Sequence, residues 1–245
     1  MPEPQGQTPS TDRQPLLAVK DLQAWYGQSH VLHGMQFEVY PGEVVTLLGR
    51  NGAGKTSTMK SIMGIVARRS GSVRFEGREL ITQPPEVVAR AGIAYCPEER
   101  AIFASLDVEE NLKLPPVVRA GGMTLDDVYT LFPNLLERRR SVGTQLSGGE
   151  QQMLAIGRIL RTGAPLLLLD EPTEGLAPVI VQKIGAALRT LRERGFTILL
   201  VEQNLHFAAS LADRHYIVEG GRVVDQLSSQ ELASQSARVH ARLGL

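Results

Sequence analysis

The sequence predicts an α/β fold, and three observations carry that prediction. Short apolar runs at 44–48, 93–96, 166–169 and 197–201 have the length of buried strands. Between them lie stretches with helix caps; the clearest, 178–194, has Pro178 at its start and Gly195 just past its end. The first run leads into Gly49-Arg50-Asn51-Gly52-Ala53-Gly54-Lys55-Thr56, which fits G-x-x-x-x-G-K-[ST] between a strand and a helix.

The totals bound the rest. With 245 residues, 42% of them hydrophobic, the chain is long enough for one large α/β domain or two small ones. Basic and acidic residues balance at 26 each, so nothing points to a nucleic-acid partner, and none is expected. Cys96 is the only cysteine, which excludes a disulfide within the chain and reads as a small buried residue. No run reaches the ~18 to 20 apolar residues of a membrane span. The N-terminus lacks a charged stretch followed by an apolar one. The chain is therefore expected to be soluble and cytoplasmic, with any membrane span supplied by another chain.

Taken in order, residues 1–15 are rich in Pro, Gln, Thr and Ser and are predicted to form a disordered tail. The fold is expected from residue 16 onward, with a first strand at 16–19. A half-buried strand at 31–39 alternates apolar and polar residues. Pro41-Gly42 turns the chain into the strand before the glycine-rich loop, and a helix follows at 56–63. Residues 72–75 are another strand, turned by Glu76-Gly77. The strand before the loop is thus expected to be flanked by antiparallel strands. A short helix at 84–89 precedes the strand at 93–96, which Pro97 ends. Between Pro97 and Gly163 no strand is read. Asp107-x-x-Glu110 and Thr124-x-x-Asp127 start helices, the second stopped before Pro133, and another helix runs to Arg161. This interval, about 98–162, reads as a helical subdomain inserted into the core. Beyond it come a helix at 205–212, a hairpin at 216–224 turned by Gly220-Gly221, and a last helix capped by Ser228-x-x-Glu231.

The chemistry begins at the loop. Glycines let the backbone wrap an anion closely, and successive N–H groups at a helix N-terminus form an anion nest. Lys55 adds a positive charge for the β- and γ-phosphates, the Thr56 hydroxyl a ligand for Mg²⁺, and Ser57 a contact toward the α-phosphate. The apolar strand at 166–169 ends in Asp170-Glu171 and delivers two carboxylates to the sheet edge where ligands bind. Asp170 is placed for Mg²⁺ and Glu171 to polarise the attacking water.

Ser147-Gly148-Gly149-Glu150-Gln151, lying between such a loop and such a strand, resembles the signature of the ATP-binding-cassette (ABC) ATPases. The resemblance spans residues 16 to about 221. The finer text is similar to the ATPase subunits of branched-chain amino-acid type importers and their urea and amide relatives. It is carried by Tyr26-Gly27-Gln28-Ser29-His30-Val31-Leu32, Val108-Glu109-Glu110-Asn111-Leu112, Glu150-Gln151-Gln152-Met153-Leu154-Ala155, Gly175-Leu176-Ala177-Pro178 and Val201-Glu202-Gln203-Asn204. It implies a P-loop NTPase (RecA-like) core with an antiparallel β subdomain and an inserted helical subdomain. Tyr26 matches the aromatic that stacks on adenine, with Trp25 pointing the other way.

The resemblance also implies that two cassettes, of the same or a related chain, pair head to tail. Each ATP then lies between the P-loop of one and Ser147, Gly148 and Gly149 of the other. Membrane permease subunits would be the direct partners, and a periplasmic or extracellular binding protein an indirect one. The site of work would be the cytoplasmic face of the plasma membrane. The segment Arg100, Ile102, Phe103 and Leu106 matches a loop beside the groove that receives a permease helix. Two positions depart from the commonest ABC pattern. Glu98 stands where Gln is usual, and as an anion would ligate Mg²⁺ more strongly. Gln203 stands where His is usual; it hydrogen-bonds a γ-phosphate or a water but carries no proton. Ala177 stands where Asp is common in the dimer-contact loop. The alternatives are a soluble ABC ATPase outside transport, a P-loop kinase or GTPase, and a regulatory nucleotide binder without turnover. The last two sit poorly with Ser147-Gly148-Gly149 and with Glu171.

Overall fold

The computed structural model describes residues 14–234. The expected tail, apart from its last two residues, lies outside them. The first half of the chain forms β1 (Leu17–Tyr26), β2 (Ser29–Val39), β3 (Val44–Leu48), α1 (Lys55–Ile62), β4 (Arg68–Phe75), β5 (Arg78–Glu79), α2 (Pro85–Ala91) and β6 (Ile93–Cys96). The helical interval holds α3 (Val108–Lys113), α4 (Leu125–Leu131), α5 (Pro133–Glu137) and α6 (Gly148–Leu160). Then follow β7 (Leu166–Asp170), α7 (Pro178–Glu193), β8 (Thr197–Glu202), α8 (Leu205–Ala209), β9 (Arg214–Glu219), β10 (Arg222–Ser228) and α9 (Ser229–Ser234).

Two sheets organise these elements. One is antiparallel, in the order β2-β1-β4-β5; the other runs β10-β9-β3-β8-β7-β6. Here the sequence expectation for β3 is corrected. Its neighbours β8 and β9 both run parallel to it, and the antiparallel strands form a sheet of their own. The apolar run at 44–48 shows a strand buried on both faces, but its partners lie some 150 residues further on and leave no local trace.

Side-chain alternation divides the core. Leu166 and Leu168 of β7, with Leu199 and Val201 of β8, join the cluster shared with Leu17, Val19 and Phe37 of the antiparallel sheet. Leu167, Leu169, Ile198 and Leu200 face the opposite cluster, built with Met153, Ile156 and Leu160 of α6 and Ile184, Leu188 and Leu191 of α7. The parallel strands are thus pinned from both sides, and their carboxyl ends have little freedom to move.

Local signals held where they were strong. Asp107 and Thr124 each cap a helix with a full capping box, and Ser228 and Glu231 bond reciprocally at the start of α9. Ser147, read above as part of the signature, caps α6 with a full capping box as well. The first strand is longer than the expected 16–19. Register shifts after Val19 and Leu22, with Asp21 at φ 47, carry it on to Tyr26 and hide its alternation.

Candidate active site

The loop after β3 begins at Gly49, buried behind it. Gly54 is the N-cap of α1 at φ 108, a conformation that an L side chain resists, and no side chain caps that helix. The first N–H groups of α1 are therefore left to an outside acceptor. Lys55 is buried. Its ammonium donates to Gly49 O at 2.8 Å and Arg50 O at 3.1 Å and lies 3.3 Å from Glu171 Oε1.

β7 brings Asp170 and Glu171 to the same place. Thr56 Oγ1 donates to Asp170 Oδ1 at 3.0 Å, and the Tyr95 hydroxyl at the end of β6 donates to Asp170 Oδ2 at 2.9 Å. Burial pushes the Asp170 carboxyl upward; its two hydroxyl donors pull it back, and the charges of Glu171 and Glu98 add to the rise. Tyr95 is raised as well, by burial and by Asp170. Glu171 follows at φ 46, a strained backbone for a residue with a side chain. Its Oε2 accepts from Gln203 Nε2 at 2.6 Å. Lys55, Glu171 and Gln203 thus form one connected chain of polar contacts.

A cleft of about 720 Å³ opens over this chain. Of the sequence-predicted residues, Tyr26, Asn51, Gly52, Gly54, Lys55, Thr56, Ser57, Glu98, Glu171 and Gln203 line it. Arg50 and Ala53 line a neighbouring hollow against β9. Tyr26 is 47% exposed, while Trp25 lies outside the cleft, stacked on His30 at 4.4 Å with Arg68 over it.

Ser147, Gly148 and Gly149 line none of this cleft. Ser147 stands exposed at the start of α6, where its hydroxyl donates to Glu150 Oε2 at 2.8 Å. A Cβ on Gly149 would come within 2.7 Å of Ile180, so the missing side chain there serves packing between α6 and α7. Arg100 reaches over Gly148 and donates to Gln151.

The sequence reading missed three features of the site, two of them in the cleft lining. Tyr95 holds Asp170 across the sheet, a contact that only the pairing of β6 with β7 creates. His30 and His33 also line the cleft, with ring centroids 4.1 Å apart. Three residues apart on a regular strand, they would face opposite ways. The register shift between Ala24 and Trp25, which skips Val31, turns them to one side. Gly220, read only as a turn, completes the wall.

The donors around Thr56 and Asp170 are hard oxygens, as Mg²⁺ requires, and the crowding of Asp170 by Glu171 and Glu98 is of the kind a divalent cation relieves. Among the described residues no three His, Cys, Asp or Glu side chains converge as a metal site. Mg²⁺ held through one or two carboxylates and substrate phosphates needs no such cluster.

A second hollow, about 310 Å³ and mostly apolar, lies between β6, the loop after it and α6. Arg100, Pro115, Pro116 and Arg158 edge it. Of the loop singled out in the sequence, Arg100 lines the hollow, Phe103 is 45% exposed beneath the Arg158 guanidinium, and Ile102 packs against the helical core.

Comparison with known proteins places this geometry in a family. Residues 32–174 match the ABC transporter family. The chain is 44% identical over 218 residues to the high-affinity branched-chain amino acid transport ATP-binding protein BraG of Pseudomonas aeruginosa, covering 85% of this chain and 91% of that one. It is 33% identical to the lipopolysaccharide export system ATP-binding protein LptB of Escherichia coli, covering 85% and 88%. Among solved structures, an ATP-binding subunit of an ABC transporter matches with TM-score 0.76 at 30% identity, covering 94% of this chain and all of that one. A dimeric post-hydrolysis cassette bound to ADP and Pi shares the fold, with TM-score 0.73 at 22% identity, covering 87% and 98%. The chain belongs to the ABC transporter family and is an ATP-hydrolysing enzyme.

Proposed function

We propose that the chain energises an importer of branched-chain or other amino acids, or of urea or short amides. It would work peripherally on the cytoplasmic face of the membrane that holds its permease subunits. The similarity to BraG supports the substrate class. Among the described residues no helix is long and apolar enough to cross a membrane, so the span would come from the permeases. The similarity to LptB supports a second reading, an export system. Purifying the chain with its membrane partners and screening ligands on the associated binding protein separates the two.

One observation carries the mechanism. Glu171 holds both Lys55 and Gln203, while Ser147 stands outside the cleft. Tyr26 stacks the adenine, and residues 49–57 bind the phosphates through backbone N–H groups and Lys55. Once Lys55 and Gln203 engage the γ-phosphate, the Glu171 carboxylate is freed to take a proton from the attacking water. Thr56 and Asp170 would hold Mg²⁺, with Glu98 on the cleft wall as a further carboxylate; the ion, when bound, neutralises charge on the phosphates. Tyr95 keeps Asp170 oriented from behind.

The second wall of the nucleotide site is the α6 N-terminus of another cassette, with Ser147 and Gly148 foremost. This chain carries both halves, so a second copy suffices, and a related cassette with the same two halves serves equally. We assign the block at about 98–162, with its apolar hollow and exposed Phe103, to docking the permease. Glu171→Gln tests the core of this reading. It is expected to bind ATP, to stop releasing phosphate and to accumulate as a dimer; phosphate release at the wild-type rate would refute it.

A further inference from the structure

Below the contact between Glu171 and Gln203 lies a second one that no motif names. β7 and β8 run parallel, and their pairing ends at Asp170 and Val201. Past that point Glu171 N–H still reaches Val201 O at 3.0 Å, and then the two loops diverge. Side chains tie them together again. Thr173 Oγ1 donates to Glu202 Oε1 at 2.7 Å. Glu202 Oε2 accepts from the backbone N–H of Gln203 at 3.2 Å and of Asn204 at 3.3 Å. Thr173 is 7% exposed and Glu202 is 3% exposed.

A carboxylate at the buried end of β8 is costly, because burial disfavours its charge. Every polar partner it has is a donor, which suits the ionised form. Neither Glu202 nor Thr173 lines the nucleotide cleft. The carboxyl group thus holds the two segments together and touches no reacting atom.

We infer that Thr173 and Glu202 form a latch that positions Glu171 and Gln203 for hydrolysis. It deepens the reading above, since it rests on Glu171 and Gln203 acting at the attacking water and the γ-phosphate. The two contacts join the same two segments, the one after β7 and the one at the end of β8. Thr173 lies two residues after Glu171, and Glu202 one residue before Gln203. The contact between Glu171 and Gln203 has to open, because both its side chains must turn to other groups. The contact between Thr173 and Glu202 is buried and stays closed, so the segments keep their spacing while the other two side chains move. The Thr173 loop continues through Glu174 to Ala177, the N-cap of α7, which on the same reading faces the second cassette. The latch therefore ties the cross-dimer loop to the γ-phosphate switch within one chain.

The test compares Thr173→Val, Thr173→Ser and Glu202→Gln with Glu171→Gln in the full chain, by steady-state ATPase rate and by equilibrium ATP binding. Thr173→Val keeps the shape and removes the hydroxyl. It is expected to lower kcat about 10-fold with ATP affinity within about 2-fold of wild type, and Thr173→Ser to restore kcat. Glu202→Gln puts an amide among donors and is expected to match Thr173→Val; it carries the comparison if Thr173→Val melts early. Wild-type kcat in both Thr173→Val and Glu202→Gln, beside an inactive Glu171→Gln, would overturn the latch and leave the reading of Glu171 intact. Equal losses of kcat and ATP affinity would make the pair plain structural support and also overturn it. An active Glu171→Gln would remove the underlying reading first.

Discussion

The N-termini of α1 and α6 are both glycine-rich helix starts, and they are finished in opposite ways. At α1 the N-cap is a left-handed glycine with no side-chain cap and no acid in the first turn. At α6 the N-cap Ser147 makes a full capping box, with Glu150 in the first turn. Lys55, Thr56, Asp170 and Glu171 crowd around the first, while the second stands exposed with its hydroxyl already engaged by its own Glu150. On the proposed reading, one helix start is a phosphate cradle and the other is a wall offered to a different chain. Losing the first should destroy binding and chemistry together, and losing the second should cost chemistry alone.

The largest effects are expected at the first. Lys55→Ala removes the charge behind the cradle and should abolish measurable ATP binding and turnover, checked by calorimetry and phosphate release. Glu171→Gln should cost about 10²–10³-fold in kcat while keeping ATP bound. Loss of ATP binding in Glu171→Gln would break the division of labour between Glu171 and Lys55. At the second helix start, Ser147→Arg should leave ATP binding by the isolated chain unchanged and lower turnover at least about 10-fold. Equal losses in both would place Ser147 in its own chain's site.

A smaller effect separates stability from activity through Glu202. Burial raises its carboxyl from 4.5 to about 7, against the pull of Thr173 and of the backbone N–H groups of Asn204 and Gln203, with Glu171 adding to the rise. Between those values the folded chain holds a proton that the unfolded chain has lost. Stability from this group is full below 4.5 and fades as pH rises to about 7, a loss of roughly 3 kcal/mol. Denaturant midpoints at pH 5 and pH 8 should therefore shift more in wild type than in Glu202→Gln. The smallest change is Asp107→Ala, which breaks the α3 capping box and should cost about 1 kcal/mol of stability with kcat unchanged.

The contrast between the two helix starts was only partly legible in the sequence. Residues 49–56, Asp170-Glu171 and the capping boxes are local patterns, and they folded as read. Tyr95 on Asp170 and Thr173 on Glu202 join residues brought together only by strand order, so no spacing announces them. The His30–His33 pair depends on a bulge that breaks the alternation on which strand reading relies. Gly149 was legible as a glycine but not for its reason, because Ile180 lies one helix away. Strand partners of β3 were misread for the same cause: burial shows in composition, and neighbours do not.

The claim that each site is shared between two chains is tested most directly by complementation. Two differently tagged copies, one Lys55→Ala and one Ser147→Arg, are co-expressed with the permeases and isolated through both tags. In that mixed assembly one site carries both lesions and the other carries neither. ATP turnover should return to a substantial share of the wild-type rate, although Lys55→Ala alone has no measurable turnover and Ser147→Arg alone is at least about 10-fold slower. A mixed assembly no more active than the two variants apart would contradict the shared site.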